Sequence, residues 1–170
     1  MSSQTGQSAL RLAKELKELQ KNPVEGFSAG LKDENNLYEW DILIIGPPET
    51  LYEGGMFRAI MTFPEDYPNS PPKLQFTTPI WHPNIYSDGR VCISILHPPG
   101  EDEWGYEKAS ERWLPIHSVE SILISVISML SNPNDESPAN LDAAKQWRED
   151  KEGYKKKVRR LVNDSIENFY

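Results

Sequence analysis

Apolar residues in this chain change their spacing twice, and the order of the two changes leaves few folds open. From Ser8 to Lys21, Leu10, Leu12, Ala13, Leu16 and Leu19 recur at helical spacing, while Arg11, Lys14, Lys17 and Glu18 take other faces. Asn22-Pro23 ends this predicted helix, because a proline ring disfavours helical geometry at the residue before it. The period then falls to two. Tyr38, Trp40, Ile42 and Ile44 alternate with Glu39, Asp41, Leu43 and Ile45 up to the break at Gly46-Pro47-Pro48, and Phe57, Ala59, Met61 and Phe63, then Leu74 and Phe76, repeat the pattern. Helical spacing returns with Val119, Ile122, Leu123, Val126, Ile127 and Leu130, behind Ser118 as a predicted N-cap with Glu120 in the first turn. Two further helices are predicted over Ala139–Glu149 and Glu152–Phe169, the last turning Tyr154, Val158, Leu161, Val162 and Phe169 inward. Helix, strands, then helices is the order of an α+β fold whose helices stand apart from an antiparallel sheet.

A length of 170 residues suits one domain spanning 1–170. The chain is 38% hydrophobic and 26% charged, which matches an ordinary globular protein and exceeds the apolar content of a disordered one. The segment Met1–Gly6 has neither the charged start nor the apolar run of a signal peptide, and no segment reaches the roughly 20 apolar residues of a membrane span. A cytoplasmic or nuclear protein without a membrane partner is the expectation. With a net charge of −8, nucleic acid is an unsuitable partner, since phosphates must be met by clustered cations. The basic run Lys155-Lys156-Lys157 with Arg159 and Arg160 reads as a solvated helix face. A single cysteine makes no internal disulfide, and three histidines without ligand spacing predict no metal site.

Between Thr77 and Ser118 no period holds, and an aperiodic stretch of that length is usually functional. It contains the single cysteine, Cys92, after the turn-like Ser87-Asp88-Gly89. A free cysteine often packs as a small hydrophobe, so its neighbours have to decide its role. Eight residues upstream lies Trp81-His82-Pro83-Asn84, where the Asn84 amide either donates to an oxyanion formed near the sulfur or bonds its own turn. His82, His97 and His117 each offer a Cys-His pair, but no cysteine-protease motif surrounds Cys92, and the expected role of all three is structural.

Tyr67-Pro68 with Pro71-Pro72, His82-Pro83-Asn84, Cys92 eight residues on, then Trp113 and Asn132-Pro133-Asn134 together resemble the ubiquitin-conjugating enzymes. The resemblance runs from about Ala9 to the last helix, and the longer loop after the cysteine is similar to that of the G-type branch. It implies the fold of that family: one N-terminal helix, a four-stranded antiparallel meander, a central helix and two C-terminal helices. It implies the activity as well, with Cys92 accepting ubiquitin as a thioester from the activating enzyme and delivering it, with a ligase, to lysines of substrates or of ubiquitin itself. Ubiquitin, the activating enzyme, a ligase of the RING type and protein substrates are the implied partners. The chain would act as a monomer and carry no cofactor, because ATP is consumed by the activating enzyme. Conjugation of a ubiquitin-like modifier in place of ubiquitin stays open, because no residue of the chain reports which modifier docks.

By motif match, Asn84 steadies the oxyanion or the loop around the active site, and Ser137 in Asp135-Glu136-Ser137-Pro138 occupies the active-site gate. Many members have aspartate at the gate, and serine is a much poorer base. Read from the residues alone, Ser137 serves equally well as a helix N-cap. The loop of about 97–112 is an insertion relative to minimal members and carries Glu101, Asp102, Glu103, Glu107 and Glu111. These acids either merely solvate a surface loop or draw in an acceptor lysine and disfavour the Cys92 thiolate by like charge. Arg11, Lys14, Asn69, Pro115 and Ile116 map to the ligase and activating-enzyme surface, with Asn69 where many members carry phenylalanine. Ser28 maps to the rear ubiquitin contact.

A thioester is already activated, so its exchange and aminolysis need positioning more than a strong base. The expectation is a cysteine without a dedicated base and with slow intrinsic discharge. Two rivals remain open: a non-catalytic scaffold of the same fold, disfavoured by Cys92 at the family spacing, and a cysteine hydrolase, which needs a histidine within reach of Cys92.

Overall fold

A computed structural model of the chain describes residues 2–100, 102, 104–105 and 107–170, with side chains from Gly6 onward. Helix α1 spans Ser2–Lys21, followed by strands β1 (Phe27–Asp33), β2 (Asn36–Ile45), β3 (Met56–Thr62) and β4 (Lys73–Phe76). Helices α2 (Val119–Ser131), α3 (Leu141–Glu149) and α4 (Lys151–Phe169) complete the order, with two short 3-10 turns, Ser94–Leu96 and Ala109–Glu111, between sheet and α2. The strands form an antiparallel meander in the order β1-β2-β3-β4. This is the α+β arrangement the two period changes predict.

Register explains the core. Trp40 lies opposite Met61, Ile42 opposite Ala59 and Ile44 opposite Phe57, while Met61 and Ala59 face Leu74 and Phe76 across the next pair. All these residues are buried, so one face of the meander is a continuous apolar plate. Val119, Ile122, Leu123 and Val126 of α2 join the same buried cluster, as do Leu12 and Leu16 of α1. Each such side chain contributes roughly 1.5–3 kcal/mol by leaving water.

Three details depart from the periodicity. Helix α1 begins at Ser2, and its inner stripe is Ser8, Leu12, Leu16 and the half-buried Leu19, whereas Leu10 is 75% exposed and Ala13 also faces out. Polar Ser8 takes the inward place because its hydroxyl finds the Tyr38 hydroxyl at 2.6 Å. Helix α3 begins two residues later than predicted, capped by Asn140, whose Oδ1 accepts from the Ala143 N–H at 3.0 Å. Ser118 does cap α2, in a reciprocal box with Ser121.

Glu15 ties α1 to its surroundings. Its carboxylate accepts from the Tyr67 hydroxyl at 2.6 Å, the Val119 N–H at 2.8 Å and Arg11 Nε at 2.9 Å, joining α1, the loop after β3 and the start of α2. Beside this carboxylate and out of water, the Tyr67 phenol is pushed far above its ordinary range, chiefly by burial. Among the described residues no helix is long and apolar enough to cross a membrane.

Candidate active site

Cys92 is held by a small antiparallel pairing beside the sheet edge. The Val91 N–H donates to Leu74 of β4, the Phe76 N–H donates to Gly89, and the Cys92 N–H donates to Asn84 at 2.9 Å. Gly89 makes the turn with φ 98°, and a Cβ there would stand 2.0 Å from the Phe76 carbonyl oxygen. Only glycine fits. Cys92 is half-buried and lines a cleft of about 570 Å3 shared with Asn84, His97, Asp102, Trp104, Glu107, Glu111, Asn134 and Ser137. A second cleft, lined by Leu74, Gln75, Arg90 and Val91, also reaches Cys92 and His97.

Asn84 is 4% exposed, and its side chain bonds backbone rather than pointing free. Nδ2 donates to the Asn134 carbonyl at 2.8 Å and Oδ1 accepts from the Asn134 N–H at 2.9 Å, stapling the 132–138 loop to the cysteine segment. Its geometry is that of a loop support. The second Nδ2 hydrogen is not used by either contact. Ser137 is exposed on that stapled loop and lines the Cys92 cleft. It does not cap α3: that place belongs to Asn140, three residues on, whose amide is the one in reach of the first free N–H groups.

His82 has the structural role expected of it. Its ring is fully buried, with Nε2 2.8 Å from the Met129 carbonyl and Nδ1 accepting the Asn84 N–H at 2.9 Å. Burial lowers its pKa to about 4, so the ring is neutral at physiological pH. His117 packs tilted against Trp113, with ring centroids 5.7 Å apart.

His97 stands within reach of the sulfur that was expected to have no dedicated base. Its Nε2 lies 3.6 Å from Cys92 Sγ, a hydrogen-bond contact for the large sulfur atom, and its Nδ1 lies 2.7 Å from a Glu107 oxygen. Its pKa is raised, first by the hydrogen bond to Cys92 and then by Glu107, against an opposing effect of burial. The Glu107 carboxylate also accepts from the Ser94 hydroxyl at 2.8 Å and pairs with Arg112 at 3.2 Å. Neither His97 nor Glu107 shows any periodic signal, and nine residues lie between them, so only the folded loop reveals the pair.

The described residues of the insertion are held by hydrogen bonds of their own. Asp102 accepts from the N–H groups of Trp104 and Glu107 at 3.0 and 2.9 Å, and the Trp113 N–H donates to the His97 carbonyl at 3.0 Å, closing the base. Exposed Glu111 lines the cleft with Asp102 and Glu107. Glu101 and Glu103 lie outside the described residues.

The mapped ligase face also assembles. Arg11 Nη2 donates to the carbonyls of His117 and Pro115 at 2.8 and 3.4 Å, and buried Trp113 donates from Nε1 to Pro68 at 2.7 Å, beside exposed Asn69. Helix α1, the 68–69 turn and the 113–117 loop therefore meet, with Lys14 and Ile116 exposed, the latter 83%. Ser28 is exposed on β1, an edge strand of the sheet, apart from both of these sites. Lys157 of the basic run lies 3.5 Å over the Trp81 ring, as a solvated cation on an apolar stem would. Among the described residues no group of three or more histidine, cysteine, aspartate or glutamate side chains is arranged to hold a metal ion.

The family model described as "Ubiquitin-conjugating enzyme" matches residues 11–162. Ubiquitin-conjugating enzyme E2 7 of Arabidopsis thaliana is 67% identical over 163 residues, 96% of this chain and 98% of its own length. Ubiquitin-conjugating enzyme E2 G2 of Homo sapiens is 55% identical over 161 residues, 95% of this chain and 98% of its own. The solved structure of human Ubiquitin-conjugating enzyme E2 G1 is similar with 62% identity and a TM-score of 0.66, covering 74% of this chain and 96% of that one.

Proposed function

This chain belongs to the ubiquitin-conjugating enzyme family, and from that premise we propose that it carries activated ubiquitin as a thioester on Cys92 and builds polyubiquitin by passing it to lysines of ubiquitin or of substrates. The observation that carries the reading is Cys92 itself: the single thiol of the chain, half-buried in a cleft that also holds Asn84, Asp102, Glu107 and Glu111. A thiol so placed accepts an acyl group by exchange, and a carboxylate-lined cleft draws in the cationic amine that will take it. Glu111, exposed on the cleft wall, is the acid free of the Glu107 network and the first candidate to meet that lysine.

Family membership brings ubiquitin, the activating enzyme, ligases and substrates as partners. The finer reading is a RING-type ligase docking on Arg11, Lys14, Asn69, Pro115 and Ile116, with the enzyme acting as a monomer. Asn69 offers a polar contact where an aromatic anchor would give a hot spot, so this face favours a ligase that reads polar groups. Ser28, on the far edge strand, is the proposed rear contact for a second ubiquitin. No cofactor beyond the ATP spent by the activating enzyme is called for, and a free catalytic thiol suits the reducing cytoplasm or nucleus.

The test mixes the protein with activating enzyme, ubiquitin and ATP, and reads gels with and without thiol reductant. Wild type gives an adduct one ubiquitin heavier that reductant removes. Cys92→Ser gives an adduct that resists reductant, and Cys92→Ala gives none. No adduct on wild type with ubiquitin or any ubiquitin-like modifier would leave a non-catalytic scaffold as the better reading.

A further inference from the structure

We propose that His97 is a catalytic residue of the transfer itself, the proton carrier at Cys92, and that Glu107 is the residue that positions it. The proposal rests on the reading of Cys92 as the ubiquitin carrier and adds to it a base.

The geometry is a line of three groups. Cys92 Sγ, His97 Nε2 at 3.6 Å and the Glu107 carboxylate 2.7 Å from Nδ1 form it. Each end is fixed from a different direction. The His97 carbonyl is held by the Trp113 N–H, and the Glu107 carboxylate by the Ser94 hydroxyl and Arg112. Such an arrangement sets the tautomer: with Nδ1–H donating to the carboxylate, Nε2 is left as the acceptor facing sulfur. An imidazole buried for packing alone has no need of that order, and His82 in the same protein shows the alternative, with both nitrogens spent on backbone.

The proton balance closes in both half-reactions. During loading, Sγ–H gives its proton to Nε2 as sulfur attacks the thioester carbonyl carbon presented by the activating enzyme. A new C–S bond to Cys92 forms, the C–S bond to the activating enzyme breaks, and the imidazolium returns the proton to the departing thiolate. During discharge the lysine nitrogen attacks the same carbon, so that a C–N bond forms and the Cys92 C–S bond breaks. Nε2 takes a proton from that nitrogen and delivers it to Sγ. His97 ends each step as it began, and nothing is oxidised or reduced.

Charged groups around His97 set the pH at which it works. On the loop side these are Glu107, Arg112, Asp102 and Glu111, with Cys92 itself. On the sheet side the second cleft brings Glu39, Lys73 and Arg90. The residues α2 contributes to the cleft, Ser125, Ser128 and Met129, are uncharged. The hydrogen bond that the protonated imidazole makes to the Cys92 sulfur, and then the Glu107 charge, hold its pKa above the ordinary value against the opposing effect of burial.

The experiment measures single-turnover loading and discharge to free lysine from pH 5.5 to 9, for wild type, His97→Gln and Glu107→Gln, beside iodoacetamide alkylation of uncharged Cys92 over the same range. Expected for wild type is a loading rate that rises through neutral pH with a midpoint above that of free imidazole. His97→Gln slows loading and discharge at pH 7 by roughly 10- to 100-fold and moves the midpoint toward that of a free thiol. Glu107→Gln, which keeps the side chain's shape, moves the midpoint down, because the charge that raised the imidazole is gone. A structural role alone would lower rates without moving either midpoint. Thermal melts check both variants, and Glu107→Gln carries the test if His97→Gln fails to fold. Wild-type midpoints in both variants, in loading and in alkylation, would overturn the proposal while leaving the carrier reading intact. Failure of wild type to load, with a His97-dependent alkylation profile, would overturn the carrier reading instead.

Discussion

His82 and His97 show how far one residue type can be driven apart by its surroundings. The first is sealed among apolar groups with both ring nitrogens bonded to backbone; the second leans on a carboxylate and touches sulfur. Their pKa shifts have opposite signs, with opposite consequences for stability. His82 falls from 6.5 to about 4 on folding, so between those values the unfolded chain binds more protons and stability is lost as pH drops. We expect about 3 kcal/mol to disappear between pH 6.5 and pH 4 from this residue alone, read by urea unfolding. His82→Gln costs about 1–3 kcal/mol at pH 7 and flattens that slope. His97 is raised, so its contribution is complete below pH 6.5 and fades as pH climbs past its folded value. Sequence reading assigned His82 its structural place because a histidine before a proline in an aromatic stretch has one ordinary use. It treated His97 alike and missed the pairing, since the partner arrives through loop folding and no spacing announces it.

Secondary-structure elements were more legible than the contacts between them. Both period changes appear as drawn, because alternation of large apolar residues has only one way to bury itself in a sheet. Helix ends were less legible, since hydrogen bonds set them: α1 extends back to Ser2, and Asn140, not Ser137, offers its amide to α3. Glu15 was invisible for the same reason, a helix carboxylate whose three partners come from Arg11, Tyr67 and Val119. The cysteine segment depends on its turn. Gly89 has φ 98° and abuts the Phe76 carbonyl, so Gly89→Ala forces both strain and a clash. We expect a loss of about 3 kcal/mol, a melting temperature roughly 6–12 °C lower, and slower Cys92 loading in proportion to the displaced strand. Differential scanning calorimetry and the loading gel read the two effects separately.

Across the whole molecule, the residues mapped by resemblance fall into three separate places: the cysteine cleft, the Arg11–Ile116 face, and Ser28 at the sheet edge. On the proposed reading, the activating enzyme and the ligase would share the Arg11–Ile116 face, away from the thiol and from Ser28. Asp102, Glu107 and Glu111 of the insertion line the same cleft as the cysteine, which a reading of charge alone left equal to a solvated loop. Exchanging residues 98–112 for a short glycine-serine link should leave the melting temperature within a few degrees and move the loading midpoint as Glu107→Gln does; a collapse of the fold would contradict this. The reason is the single bond from the Trp113 N–H to the His97 carbonyl, which brings the two ends of the loop together. A segment whose ends already meet can be lengthened, shortened or replaced for little, since doubling a loop costs only about 0.6 kcal/mol. Descendants of such a chain are thus at liberty to rewrite what surrounds the sulfur while inheriting the core unchanged, and chemistry can diversify faster than architecture.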